Sequence, residues 1–142
     1  MAEYLFVYGT LQRGLKPEMN RIIEAGAEFC GDAYVNARLV MLSWYPGLIL
    51  ATEESQQVAG ELYRLHSPSA ELLYQLDRYE GCGESDPEPH EYKRCVMDVV
   101  IDDKVQPAWV YLYTHSSTGL PVLVSGRFRD WVEGKDDPSV TV

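Results

Sequence analysis

Apolar residues fall along this chain in short dense runs separated by turn formers, and in only two stretches do they recur at helical spacing. Residues 3–8 are rich in aromatic and β-branched side chains and stop at Gly9, which predicts a buried first strand. A short helix follows: Pro17 and Glu18 suit its first turn, Ile22, Ile23 and Ala25 its inner side, and Gly26 its stop. Strands are expected over 28–35, 38–42 and 47–50, with Tyr45-Pro46-Gly47 turning between the last two. Residues 58–65 alternate an inward Leu62 with an outward Glu61 and Arg64, the pattern of a strand with one wet face. A second helix is expected from Ser67, as cap, to Glu80, with Pro68 first, Glu71 in its first turn and Gly81 ending it. Residues 92–101 and 106–113 form a hairpin across Asp102-Asp103-Lys104, and the segment 82–91 between helix and hairpin is an exposed loop. Strands outnumber helices and do not alternate with them. The fold class is therefore α+β, with a β-sheet expected to curl round as a small barrel or half-barrel, flanked by the two helices.

Length and composition fit this picture. The 142 residues suit a single domain spanning 1–142, with a polar tail after about 132, and 46% hydrophobic against 24% charged residues is ordinary for a globular protein. The net charge of −10 comes from acids spread along the chain, denser at Glu84 to Glu91 and Asp136 to Asp137. No basic face accompanies them, which disfavours nucleic acid and anionic membranes as partners and points to a small molecule. The first residues lack the basic region of a secretory signal, and the apolar stretch 39–51 is too short to span a bilayer. The expected compartment is cytoplasmic. Cys30, Cys82 and Cys95 are odd in number and form no CxxC pair, as free thiols in a reducing compartment do. His66, His90 and His115 are isolated and read as structural or surface residues, and no metal site is expected.

One carboxylate breaks the apolar pattern. Leu72, Leu73, Leu76 and Tyr79 fill an arc of roughly 120° on the second helix, and Glu80 projects inside it. A carboxyl aimed into apolar surroundings is hard to ionise, so it becomes a group able to take and return protons near neutral pH. A frayed last turn that lets the side chain swing into water is the alternative. Tyr8-Gly9-Thr10-Leu11-Gln12-Arg13-Gly14 lies where the first strand ends. Consecutive N–H groups there can converge on an anion. An ordinary strand-to-loop turn is the other reading of these residues.

Phe6-Val7-Tyr8-Gly9-Thr10-Leu11, Tyr45-Pro46-Gly47, Gly60-Glu61-Leu62-Tyr63, Leu76-Asp77-Arg78-Tyr79-Glu80-Gly81 and Tyr92-Lys93-Arg94 occur in that order. The succession resembles the γ-glutamylcyclotransferase-like family, including its AIG2-like and γ-glutamylamine branch, from about Leu5 to Trp131. The resemblance implies an α+β fold with a curled mixed β-sheet, small and barrel-like, flanked by two or three helices, and a cavity between the YGTL loop and the end of the second helix. It implies that residues 8–13 hold the α-carboxylate end of a γ-glutamyl group, largely through backbone amides, and that Glu80 is the proton acceptor. The implied reaction is cyclisation of a γ-glutamyl amine or dipeptide to 5-oxoproline with release of an amine, with no cofactor. Tyr8, Gly9, Thr10, Leu11, Gln12 and Arg13 are then the expected substrate-binding residues, with Glu80 catalytic and the protein a monomer or weak homodimer.

Tyr92 and Arg94 share one face of their strand two residues apart. Tyr92 is expected to line the cavity, and Arg94 to pair with a carboxylate of the substrate or of Asp77. Tyr45, Trp109, Tyr111 and Tyr113 are pocket walls or core. Cys82 near His90 invites a thiol-nucleophile reading, weakened by their place in a loop without an orienting third group. The acidic segment 82–91 is longer than in many family members and can serve as a lid or restrict the leaving-group side, and Ser125 to Trp131 only loosely resembles the family's short ending. Two other functions fit the same residues: a non-catalytic binder of a small amino-acid-like metabolite, and an interaction module that docks through the acidic loop.

Overall fold

The computed structural model describes residues 3–135. Its elements, in chain order, are β1 (Tyr4–Val7), α1 (Pro17–Gly26), β2 (Ala27–Val35), β3 (Ala37–Met41), β4 (Pro46–Leu50), β5 (Val58–Leu65), α2 (Ala70–Tyr79), β6 (Tyr92–Ile101), β7 (Lys104–Tyr113) and α3 (Phe128–Val132). The seven strands form one sheet in the order β1-β5-β2-β6-β7-β4-β3. A parallel pairing of Leu5 with Trp109 joins β1 back to β7, so β1, β5, β2, β6 and β7 close into a mixed barrel. The β3–β4 hairpin extends the sheet through Leu48 and Leu112. The α+β class and the curled, barrel-like sheet hold as expected.

Closure explains why β1 is apolar at every position. Phe6 and Tyr8 enter one buried cluster with Val35, Leu48, Leu62, Val99 and Val110, whereas Leu5 and Val7 enter a second with Leu11, Ile23, Leu72, Leu73 and Leu76. A strand packed on both faces has no wet side to alternate with. The second cluster lies where α1 and α2 contribute their apolar faces. Among the described residues, no helix is long and apolar enough to cross a membrane.

The β6–β7 hairpin turns at Asp102 and Asp103, with φ of 49° and 63°, between the paired Ile101 and Lys104. Two successive left-handed residues match the twist of a two-residue hairpin, and Asp tolerates that conformation better than bulkier residues. Strand β7 consequently starts at Lys104, two residues before its expected start.

Two expectations need correction. Helix α2 begins at Ala70 rather than at Pro68, with Ser69 at its N-cap, because the chain before it is still tied to the barrel. Leu65 donates to the Glu3 carbonyl at 2.7 Å and His66 to that of Gly26 at 2.9 Å, which draws the segment out before the first helical bond, Leu73 N–H to the Ser69 carbonyl. Nor does β5 have one wet face: Arg64 is exposed, but Glu61 is only 2% exposed. Strand β5 is paired on both edges, by β1 and β2, and the loop after β1 covers Glu61. The expected acidic pair Asp136 to Asp137 and most of the expected polar tail lie outside the described residues.

The end of α2 places the site. Glu80 retains helical backbone angles and its N–H bonds the Leu76 carbonyl, while Gly81, at φ +73°, reverses the chain. Gly81 N–H donates to the Arg78 carbonyl and Cys82 N–H to that of Asp77 at 2.9 Å, the paired bonds of a Schellman ending. The last turn is not frayed. Since a Cβ on Gly81 would meet nothing within 4 Å, Gly81→Ala should destabilise the fold by about 1–2 kcal/mol through backbone strain alone. Thermal unfolding checks this, and an unchanged midpoint contradicts the assigned ending.

Candidate active site

A crevice holding about 380 Å³ of empty space, counted out to its open mouth, lies between the end of β1 and the end of α2. Residues 6–11 form one wall; Tyr45 and Pro46, Glu80, Tyr92 and Tyr111 form the rest. Of the residues singled out above, Tyr8, Gly9, Thr10, Leu11, Glu80 and Tyr92 therefore meet in one place, joined by Tyr45 and Tyr111. Gln12, Arg13 and Arg94 do not line it, nor do Trp109 and Tyr113.

Glu80 projects from the last turn of α2 into this crevice. Burial, reinforced by the neighbouring charges of Glu91 and Asp77, pushes its carboxyl up to about 8. Among the described residues its side chain makes no hydrogen bond or ion pair, so nothing local offsets the loss of water around the charged form. Of the cations at this helix end, Arg78 is exposed, 5.9 Å from the Tyr74 ring centroid, and Arg94 is already committed. Arg94 donates from Nε and Nη2 to the two oxygens of Asp77 at 2.7 and 3.1 Å, and its guanidinium lies 4.3 Å from the Trp109 ring centroid. The Tyr111 hydroxyl donates to the same carboxylate at 2.7 Å. Of the two partners expected for Arg94, the structure supplies Asp77, and the pair braces α2 against β6 and β7.

The opposite wall is a loop held in shape by its neighbours. Gln12 Nε2 donates to the Tyr8 carbonyl at 3.0 Å, and Asn20 of α1 donates to the carbonyls of Leu11 and Gln12 while accepting from Gly14 N–H. Buried Glu61 accepts from Arg13 N–H at 2.9 Å, from Arg13 Nε at 3.3 Å, from Arg129 Nη2 at 3.1 Å and from the Tyr63 hydroxyl at 3.2 Å. Arg129, on α3, also donates to the Arg13 carbonyl at 2.6 Å. These bonds use the amides of Arg13 and Gly14, and the Gln12 amide bonds the Gly9 carbonyl. The N–H groups of Gly9, Thr10 and Leu11, in the crevice wall, donate no hydrogen bond among the described residues. Three successive amides of this kind can receive an anion. Gly9 is required here for close approach, since a Cβ on it would stand 2.8 Å from Pro46 Cγ. Thr10 Oγ1, 2.8 Å from the Tyr79 hydroxyl, ties the loop to α2.

The tyrosines supply walls. Tyr8 donates its hydroxyl to the Tyr111 carbonyl at 2.6 Å and Tyr92 donates to that of Pro46, so both phenols are engaged, and burial holds both protonated. Cys82 is a poor nucleophile in this setting: burial, then Asp77 and Glu80, push its thiol up to about 11. His90 Nε2 lies 3.2 Å from the Asp86 carbonyl oxygen, not on the thiol.

The model of the γ-glutamyl cyclotransferase, AIG2-like family matches residues 5–131. The chain belongs to this family. The γ-L-glutamyl-butirosin B γ-glutamyl cyclotransferase of Niallia circulans is 28% identical to it over 128 residues, covering 89% of this chain and 74% of that protein. The γ-glutamylcyclotransferase family protein YtfP of Escherichia coli is 30% identical over 130 residues, covering 91% and 96%. The solution structure of YtfP superposes with a TM-score of 0.60, at 27% identity over 91% of this chain and 98% of that one. An AIG2-like protein from Mus musculus gives a TM-score of 0.59 at 25% identity, covering 84% of each chain.

Asn20 and Glu61 are the site-building residues that the reading of the sequence passed over. An Asn on the inner side of α1 is the kind of signal that points to the first; the second stands where alternation along β5 predicts a wet face. Glu61→Ala removes one acceptor from two guanidinium groups, an amide and a phenol, and should destabilise this family member by about 1–3 kcal/mol, since the half-exposed arginines regain water. Denaturant unfolding measures it; an unchanged midpoint means Glu61 does not hold the loop.

Proposed function

We propose that this protein is a γ-glutamyl cyclotransferase that converts a γ-glutamyl amine or dipeptide to 5-oxoproline and a free amine, with Glu80 as the general acid and base. The observation that carries this reading is a carboxyl shifted to about 8 in the same crevice as three unengaged amides. In this reading the amides of Gly9, Thr10 and Leu11 receive the α-carboxylate of the substrate, and the rings of Tyr8 and Tyr92 enclose its methylenes. Gln12 and Arg13 act through the shape of the loop, and Arg94 acts by fixing Asp77 beneath the end of α2.

The α-ammonium gives a proton to Glu80, and its nitrogen attacks the γ-carbonyl carbon of the same molecule. A C–N bond closes the five-membered lactam as the bond to the departing nitrogen breaks. In all, two protons leave the α-nitrogen and two reach the departing nitrogen, which exits as an ammonium, so Glu80 is restored and no electrons are exchanged. A carboxyl with an affinity for protons near that of an amine suits such a shuttle, because neither transfer is far uphill. Nucleophile and electrophile share one molecule, so the enzyme's remaining task is to hold the bent conformer, which at the ideal limit contributes roughly 7–11 kcal/mol.

Glu80→Gln keeps the shape and removes the shuttle, so kcat should fall on the order of 10²–10⁴-fold. Glu80→Asp should also fail, its carboxyl withdrawn by one methylene. Turnover retained in purified Gln variant contradicts the assignment, and binding of γ-glutamyl compounds without any 5-oxoproline identifies a binder instead. The groups that act on Glu80 are Asp77 of α2, Glu91 of the following loop, and its own burial; Tyr8, Tyr45, Cys82, Tyr92 and Tyr111 feel its charge in return. The base must be ionised in the free enzyme, so kcat/KM should rise with pH through a midpoint near 8. The bound ammonium favours the carboxylate, which moves the kcat profile to lower pH. A kcat/KM profile flat from pH 6 to 9 contradicts this.

A further inference from the structure

Tyr45 of the crevice wall is hydrogen-bonded to a charge that the γ-glutamyl head group does not match. Glu91 ends the acidic segment 82–91 and sits just before Tyr92 of the crevice wall. Its carboxylate accepts from the Tyr45 hydroxyl through both oxygens, at 2.9 and 3.1 Å, and Tyr45 itself lines the crevice. The backbone beneath it is fixed as well: the Glu91 carbonyl accepts from Thr114 N–H at 2.9 Å and from Thr114 Oγ1 at 3.1 Å. Glu91 is thus a held charge rather than a solvated surface acid, and it is one of the two that act on Glu80. The indole of Trp44, 62% exposed, packs edge-on against Tyr45 at 4.9 Å between centroids. An aromatic ring hydrogen-bonded to a fixed carboxylate suits an organic cation.

The head group of the substrate is a zwitterion. Its carboxylate goes to the amides of residues 9–11 and its ammonium to Glu80, which leaves the charge of Glu91, bound to Tyr45 of the crevice wall, unanswered. The departing nitrogen takes its protons from Glu80, where the charge of Glu91 is felt. Resting on the reaction proposed above, we propose that Glu91, held by Tyr45 of the crevice wall, selects γ-glutamyl conjugates whose leaving amine carries a second positive charge, such as conjugates of diamines. Glu84, Asp86 and Glu88 extend the same sign of field outward along the segment. They draw such substrates in, whereas a leaving group with its own carboxylate is repelled.

The test compares three mono-γ-glutamyl conjugates of equal length, whose leaving groups are a four-carbon diamine, a four-carbon monoamine and a four-carbon amino acid. 5-Oxoproline release gives kcat/KM for each with wild-type enzyme and with Glu91→Gln. The ratio of diamine to monoamine cancels whatever the substitution does to the chemistry common to both. It should be about tenfold at low salt, as one fixed charge near the surface provides, and should approach one in Glu91→Gln. In wild-type enzyme, which needs no variant to fold, the ratio should also shrink as ionic strength rises. The amino-acid conjugate should be the slowest of the three. A ratio near one in wild type, or one that survives in Glu91→Gln, overturns the selection by Glu91 and leaves the cyclisation standing. Absence of 5-oxoproline from all three conjugates overturns the cyclisation itself, and the selection with it.

Discussion

Partial withdrawal of the Glu80 carboxyl from water, with no partner among the described residues to offset it, is the constraint on which the candidate site depends. An ionised acid in such a place needs a cation or several donors, and the structure turns its nearby cations elsewhere: Arg94 is held by both oxygens of Asp77, and Arg78 is exposed over the Tyr74 ring. The surrounding phenols do not help, because Tyr8 and Tyr92 donate to backbone carbonyls and Tyr111 donates to Asp77. Glu91 and Asp77 add charge of the same sign. Each arrangement favours the neutral acid, and each also makes an ammonium a natural partner for the ionised form. The unfavourable environment of the free protein and the attraction for a cationic ligand are two aspects of one field.

That field persists only if the crevice keeps its shape, and the barrel sees to this from distant parts of the chain. The loop after β1 is fastened from α1 by Asn20, from β5 by Glu61 and from α3 by Arg129. The end of α2 is fastened by its Schellman bonds and by Arg94 of β6. Both walls thus rest on the same closed sheet, and Thr10 with Tyr79 links them directly. A candidate site built this way is preorganised: its amides and its carboxyl are held in place by the fold itself.

Local patterns were readable in the sequence, and long-range ones were not. Helical periodicity turned Glu80 inward because Leu72, Leu73 and Leu76 fix the apolar face within ten residues, and Gly81 gives the stop. Asp102 and Asp103 marked a hairpin for similarly local reasons. Glu61 was misread because alternation along β5 is scored as if one face meets solvent, while its partners Arg13 and Arg129 arrive from 48 residues before and 68 after. Glu91 sat in an acidic run that normally signals a solvated loop, and its partner Tyr45 is 46 residues away. The start of α2 slipped because Ser67 and Pro68 carry the local signature of a helix cap, yet Leu65 and His66 are still bonded to the barrel.

The central claim concerns one proton, and it is most directly tested by watching that proton leave. A ¹³C NMR titration of the glutamate side-chain carboxyls, with Glu80 assigned by its disappearance in Glu80→Gln, follows the group in the ligand-free protein. The account predicts a midpoint near 8. A midpoint close to the ordinary glutamate value, about 4.3, would show a carboxyl in free exchange with water and contradict the account.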